Sequence, residues 1–364
     1  MNTKNEQPLA FNRLKTTVID QGFCTLCGAC EVACPVRAIK IVKEKPQCIY
    51  DCAKYLDQCS ICYDVCPHTE ALLVETPSLG CYRKVLLGQA VERGMRNGRG
   101  GGVVTALLTY ALENNVIDSA VFSGIKAGTP MELKPLVSSI PDDLLSAVEV
   151  EFFPSVIAEA FSSAVHEYRK QRIAFVGVPC HVLALRKLEA WQHKLAENLK
   201  IVIGLFCLWS FSSKKLLRYL LRNYDIKASE VQRIALADEY LIHTKKGVIS
   251  IPFQEIKRNV LRRCRTCIDF SSELADISVG GASPLKDWSM VIIRSKRGED
   301  FFNDAVKHKA IKTKNIDEAM DVFPQIIEMA TNKRKTALRE VRKRKRLSKS
   351  IPPAMESFVE ESTT

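Results

Sequence analysis

Apolar and polar positions recur along this chain at two periods, and the periods predict its elements. Val104, Leu107, Leu108, Ala111 and Leu112 share one helical face and predict a helix behind the glycines of Asn97–Gly102. Ala120-Val-Phe-Ser-Gly-Ile125 predicts a strand. Helix and strand patterns then alternate. Ser155–Arg169 predicts a helix, Arg172–Val178 a strand, Val182–Leu195 an amphipathic helix, Lys200–Phe206 a strand and Ser213–Asn223 a helix. Asp276–Val279 and the hydrophobic stretch reaching Ile293 predict two further strands. A helix, a strand-like stretch and a helix over Ala330–Leu347 close the chain. This order predicts an α/β core with a mostly parallel sheet. Ligands bind at the C-terminal ends of such strands, where Pro179-Cys180-His181 and Cys207 fall. Residues 71–100, with Thr76-Pro-Ser-Leu-Gly80, read as a linker.

Cysteines change the picture of the N-terminal part. Cys24-x-x-Cys27-x-x-Cys30-x-x-x-Cys34-Pro35 is a bacterial-type ferredoxin run. Three thiolates of such a run bind one 4Fe-4S cluster and the fourth binds another. The partner run, Cys59-x-x-Cys62-x-x-x-Cys66-Pro67, has Leu56 where a further cysteine would complete it. Cys52 or Cys48 supplies the missing thiolate, with Cys52 favoured by its shorter loop. The expected arrangement is crossed. Cys24, Cys27, Cys30 and Cys66 hold one cluster; Cys34, Cys59, Cys62 and Cys52 (or Cys48) hold the other.

Four later cysteines, Cys180, Cys207, Cys264 and Cys267, make one more four-thiolate set. Three clusters would use twelve of the fourteen cysteines. A structural zinc is the rival reading of the last set; a redox wire upstream favours a cluster. Cys81 lies outside every motif and is expected to be a small, partly buried side chain. His181 is expected to be a structural hydrogen-bonding residue before a catalytic one. Gly101 and Gly102 lead into a helix N-terminus, whose free N–H groups favour a phosphate or pyrophosphate. Gly280 and Gly281 end the Asp276–Val279 strand and permit close approach of a ligand. No set of side chains demands acid–base catalysis.

Composition adds bounds. The 364 residues hold one large domain and a small one. The longest uncharged apolar run, Ile201–Phe211, is too short to span a bilayer, and the first residues have no apolar core of a signal peptide. A cytoplasmic protein is expected, in which cysteines bind metal in preference to forming disulfides. Of the net charge of +12, nine units lie in Thr331–Lys349, which has ten Lys or Arg and one Glu. That segment is expected to be a solvated or partner-docking helix, not a nucleic-acid-binding one.

At this point the chain resembles the family of β subunits found in coenzyme F420-reducing hydrogenases and F420H2 dehydrogenases. The resemblance runs from about Val85 to the tail. It rests on Gly101-Gly-Val-Val-Thr-Ala-Leu-Leu108, Val178-Pro-Cys-His181, Gly204-Leu-Phe-Cys207, Cys264-x-x-Cys267-x-Asp-Phe and Glu273-Leu-Ala-Asp-Ile-Ser-Val-Gly280 through Asp287-Trp-Ser289. The N-terminal part is similar to the electron-input component of the membrane F420H2 dehydrogenases. The resemblance implies a two-cluster ferredoxin domain at 1–75, a core at 76–325 binding FAD, one 4Fe-4S cluster and F420, and a basic helix and tail at 326–364. It implies flavin contacts at Gly101, Gly102, Val103, Val104, Thr105, Val178, Pro179, Gly280, Gly281, Asp287, Trp288 and Ser289. Many members carry a Lys-Tyr pair where this chain has Val148-Glu-Val-Glu-Phe-Phe-Pro154.

The expected activity is hydride exchange between F420 and FAD, with single electrons relayed through three clusters to or from a larger redox complex or a soluble ferredoxin. Such a complex would be a membrane F420H2 dehydrogenase, a hydrogenase or another oxidoreductase module. Any membrane association would run through partner subunits alone. The alternatives are a reductase of the same family acting on another acceptor, such as a tetrapyrrole, or a pure electron-relay subunit.

Overall fold

The computed structural model describes residues 9–52, 58–70, 72, 77–96, 101–126, 129–146, 153–236, 239–285, 287–319 and 321–360. A short hairpin, β1 (Ile39–Val42) and β2 (Lys45–Cys48), lies in the N-terminal part. Eight strands then form one sheet: β3 (Lys84–Ala90), β4 (Ser119–Lys126), β5 (Thr129–Ser138), β6 (Ile173–Gly177), β7 (Leu199–Leu205), β11 (Ile277–Gly281), β12 (Ser289–Ile293) and β13 (Ile311–Asn315). Between β7 and β11 the chain makes a separate antiparallel sheet of β8 (Val231–Leu236), β9 (Tyr240–Thr244) and β10 (Gly247–Ile251).

The large sheet has the order β13-β3-β12-β11-β7-β6-β4-β5. Its centre, β4-β6-β7-β11, is parallel, as the alternating pattern predicts. Antiparallel strands extend both flanks. The central strands are almost wholly apolar because both faces are covered. Ala120, Phe122, Ala174, Val176, Ile201 and Ile203 face the layer of helices Val103–Glu113 and Lys296–Lys307. Val121, Ile173, Phe175 and Val202 face the opposite layer, of helices Ile157–His166 and Pro179–Ala190.

Three expectations are corrected. Residues 71–100 do not form a plain linker: Lys84–Ala90 is a strand between β12 and β13, so a strand does precede the glycine loop. Its run Val85-Leu-Leu-Gly-Gln-Ala is short, and Gly88 interrupts it. A side chain at that position would crowd Val103 and Val291. The helix after β6 begins at Pro179, so Cys180 lies in its first turn; proline at that place suits a helix start. The basic C-terminal segment is not simply solvated. Val322–Arg346 is one 25-residue helix burying Ile326, Ala330, Lys333, Ala337 and Val341 along one stripe.

The N-terminal part does not stand apart from the core. Cys27, Ala29, Ala33 and Val65 share a hydrophobic cluster with Phe161, Phe175 and Leu188. The Ala158 N–H donates to the Cys27 carbonyl at 3.0 Å. At the other end of the chain, the Ala354 N–H donates to the His68 carbonyl at 3.0 Å. Among the described residues no helix is long and apolar enough to cross a membrane.

Candidate functional site

The N-terminal cysteines collect into two neighbouring groups. Burial and the proximity of Cys24, Cys27, Cys66 and Cys62 push the Cys30 thiol well above its ordinary value. Burial, with Cys27 and Cys24, likewise pushes Cys66 up. Cys24, Cys27, Cys30 and Cys66 therefore lie together, although Cys66 is 36 residues beyond Cys30. In the second group, burial with Cys59, Cys34 and Cys52 pushes Cys62 up to about 12. Burial with Cys48, Cys34 and Cys59 pushes Cys52 up to about 11. Cys48 is also beside this group and donates its thiol to the Tyr50 carbonyl. The short helices Ala29–Val32 and Ile61–Asp64 present the runs, and the Ala38 N–H donates to Cys34 Sγ at 3.2 Å. Leu56 lies outside the described residues.

The later four cysteines come from three places that only the fold unites. Cys180 is at the N-terminus of a helix, Cys207 follows β7, Cys264 lies within the short helix Arg262–Arg265 and Cys267 just beyond it. The Cys207 N–H donates to the Phe270 carbonyl at 2.9 Å, which ties the end of β7 to the Cys267-x-Asp-Phe stretch. Burial and the nearness of Cys207, Cys267 and Cys264 push the Cys180 thiol well up. One cavity touches all four side chains.

This donor chemistry fits iron–sulfur clusters. Buried thiols that raise one another's pKa are relieved when a cationic centre takes them as thiolates. Among the described residues no group of three or more His, Cys, Asp or Glu is placed to hold a metal ion. A four-iron cluster asks for a wider cage, because each of its four thiolates binds a different iron.

Buried cations surround these cages. Arg263, adjacent to Cys264 in the chain, donates to the Cys24 carbonyl at 2.5 Å and thereby joins the ferredoxin-like part to the core. Lys187 Nζ donates to the Cys66 carbonyl at 2.8 Å. Lys333 Nζ donates to the carbonyls of Cys207 at 2.6 Å and Asp269 at 2.5 Å. His68 lines the cavity that also touches Cys180 and Cys267, and its buried Nε2 finds no hydrogen-bond partner among the described residues. Burial, then Arg263 and Lys187, lowers its pKa to about 3, so the ring is neutral. His181 lines the same cavity, and burial lowers it to about 3 as well. A neutral, buried imidazole suits the structural role expected of it. Sequence reasoning missed Lys187, Arg263 and Lys333, because no local signal separates a buried cation from the many exposed ones. Cys81 is exposed, not partly buried, and sits in an irregular stretch ahead of β3.

The residues implied as flavin contacts are brought together in part. The Gly101 N–H donates to Ser289 Oγ at 3.0 Å, and Gln89 Nε2 donates to the Asp287 carbonyl at 2.8 Å. The glycine loop and the Asp287–Ser289 loop are thus stitched together. Gly102 caps the helix Val103–Glu113 in the left-handed region, with φ +67°, and no side chain caps that helix. The uncapped N–H groups at its start suit a pyrophosphate. A Cβ on Gly102 would fall 2.5 Å from the Met95 carbonyl oxygen, so the glycine is required by the chain's own backbone. A Cβ on Gly280 would strike the Phe206 ring, whereas one on Gly281 would meet nothing within 4 Å. Of these glycines Gly281 is the one bordered by open space. Val178 packs in one cluster with Val103, Val104, Val279 and Cys207, and Pro179 opens the helix that carries Cys180. Trp288 stacks under the ammonium of Lys314, 4.7 Å from the ring centre. Residues 97–100 and 148–152 lie outside the described residues.

An α/β core fused to a cysteine-rich ferredoxin-like part defines an iron–sulfur protein of the electron-transferring class. Residues 17–40 match the 4Fe-4S binding domain. Residues 85–161 and 170–319 match, in order, the N-terminal and C-terminal halves of the coenzyme F420 hydrogenase/dehydrogenase beta subunit. The chain belongs to that family of beta subunits.

Among its relatives, the coenzyme F420 hydrogenase subunit beta of Methanothermobacter thermautotrophicus is 24% identical over 279 residues, 75% of this chain and 99% of that one. An F(420)H(2) dehydrogenase subunit of Methanosarcina mazei is 26% identical over 328 residues, 86% of this chain and 90% of that one. A chain of the F420-reducing [NiFe] hydrogenase complex from Methanosarcina barkeri superposes with a TM-score of 0.71 at 26% identity, covering 77% of this chain and 98% of that one.

Proposed function

We propose that this chain is an F420-linked oxidoreductase subunit that carries FAD and three 4Fe-4S clusters and works within, or against, a larger redox complex. FAD when bound would supply the chemistry of converting a hydride, exchanged with F420, into single electrons. The protein binds, orients and insulates. The uncapped start of the helix Val103–Glu113, the Asp287–Ser289 loop and the open side of Gly281 support a flavin pyrophosphate site. The four core cysteines hold the next centre, and Arg263 fixes the ferredoxin-like part against it. Cys24, Cys27, Cys30 and Cys66 make the nearer N-terminal cage, and Cys34, Cys59, Cys62 and Cys52 the farther. Cys52 is preferred to Cys48 because Cys62 is raised by Cys52, while the Cys48 thiol is engaged with Tyr50.

The observation that carries the reading is the gathering of Cys180, Cys207, Cys264 and Cys267 around one cavity that also touches Thr25 and His68 of the ferredoxin-like part. An inventory of anaerobically purified protein tests it. About twelve irons, as many sulfides and one flavin are expected per chain. Saturation at about eight irons with zinc present would remove the core cluster. Clusters without flavin would leave only the electron-relay subunit.

A further inference from the structure

The C-terminal helix does more than cover the core. It lies beyond residue 319, where the matched family segments end. Ten Lys or Arg crowd Thr331–Lys349, and nine of them keep contact with water. Lys333 does not: it is 4% exposed. Ala330 and Ala337, small and buried on the same stripe, let the helix approach closely. Arg334, the next residue, is held by Glu273 at 2.6 Å, which fixes the rotation of the helix. Lys333 Nζ therefore enters the cavity lined by Cys180, Cys207, Cys264 and Cys267.

We propose that Lys333 is a positioning residue of the core cluster: its fixed positive charge offsets the thiolates of Cys180, Cys207, Cys264 and Cys267 and sets how readily that centre accepts an electron. Two carbonyls, of Cys207 and Asp269, fix where the ammonium sits. Carbonyls carry no charge, however, and a buried ammonium persists only beside negative charge. The acidic groups facing Lys333 are the thiols Cys267, Cys207 and Cys264 and the buried carboxyl of Asp269. Burial disfavours the ammonium, and those groups favour it. With a cluster bound, the thiolates of the cavity that Lys333 enters would stand beside the Asp269 carboxyl as its counter-charges. A cation beside a cluster favours its more negative, reduced state.

The inference rests on the core cluster proposed above, and wild-type iron content tests that foundation first. If the wild type lacks core iron, the functional reading falls whatever Lys333 does. Given a loaded wild type, two variants decide. Lys333→Gln keeps N–H donors for the carbonyls but removes the charge; Lys333→Arg keeps the charge. Iron per chain and EPR-monitored redox titration of the core signal are the readouts. Lys333→Gln is expected either to lose about four irons selectively or to keep them with the core midpoint moved to lower potential. Lys333→Arg is expected to match the wild type in both. Lys187→Met, which removes the ammonium at the Cys66 carbonyl, should shift an N-terminal cluster signal and leave the core signal in place.

Full iron and an unchanged core midpoint in Lys333→Gln would overturn the proposal. So would an equal fall in both Lys333 variants, which would mean that the lysine acts by shape. If Lys333→Gln does not fold, Lys333→Arg decides alone. Wild-type iron and midpoint uphold the proposal; lost iron or a lower midpoint overturns it.

Discussion

Arg263 donates to the carbonyl oxygen of Cys24 at 2.5 Å across 239 residues of sequence. The guanidinium is buried, and the next residue in the chain is Cys264. One side chain thus links the first cysteine of the ferredoxin-like run to a cysteine of the core set. Replacing it with Met leaves that carbonyl without its charged donor. A loss of about 1.5–3 kcal/mol is expected, the range for hydrogen bonds to charged groups. The denaturant midpoint measures it, and proteolysis between residues 70 and 84 should quicken as the two parts separate more often. An unchanged midpoint with unchanged protection would show that the link is dispensable.

Cys264→Ser separates the two kinds of cage. Cys264 shares its cavity with Cys180, Cys207 and Cys267, while the N-terminal groups draw on other cysteines. The variant should hold about eight irons and keep both N-terminal EPR signals, with electron transfer from flavin to them broken. Loss of the N-terminal signals alone would reverse the assignment.

Gly281 and Gly102 should respond oppositely. A side chain at Gly281 enters open space at the end of β11, where β-branched residues suit a strand. Gly281→Val is therefore expected to melt like the wild type and to retain its iron. Its flavin affinity should fall at least tenfold, ~1.4 kcal/mol. Gly102→Val meets the Met95 carbonyl and a left-handed backbone, and should lose stability first. Flavin released on denaturation and a thermal melt distinguish the two. Wild-type flavin content in a stable Gly281→Val protein would remove that loop from the flavin site.

Asp276 gives a pH signature. Its carboxylate is 3% exposed and receives Arg297 at 2.8 Å, Arg186 at 3.2 Å, Ser295 Oγ at 2.6 Å and the Val202 N–H at 2.8 Å. Burial alone would raise its pKa; Arg186, Ser295 and Arg297 reverse that and hold it below the ordinary 3.8. A depressed folded pKa stabilises above the unfolded value and loses that contribution as pH falls through the folded one. Asp276→Asn should cost about 3 kcal/mol at neutral pH, as breaking a buried pair does. That gap should stay level from about pH 8 to about pH 5, since the carboxylate is ionised in both states there. Urea titrations of both proteins across this range measure it, and a gap that shrinks within the range would contradict the assignment.

Local signals determined much of this protein. Cysteine spacing marked Cys24–Cys34 and Cys59–Cys66, because most of the ligands to a ferredoxin-type cluster come from one tight loop. Apolar runs of strand length between helical patterns marked β4, β6 and β7, because strands buried on both faces have no polar side. The strand Lys84–Ala90 escaped, since a short run broken by Gly88 looks like a turn until β12 and β13 pair with it.

Tertiary structure decided what depends on distant segments meeting. It put Cys66 beside Cys24, Cys27 and Cys30, closed the space between Cys180, Cys207, Cys264 and Cys267, and joined Gly101 to Ser289. It also turned one lysine of the basic C-terminal segment inward, which composition does not foretell. Ten like charges in nineteen residues look like a solvated surface. A helix turns 100° per residue, so one of them can face inward while its neighbours face water. Which one does so is set by the stripe Ile326, Ala330, Lys333, Ala337 and Val341 and by the cysteines waiting beneath it, not by the charge of the segment.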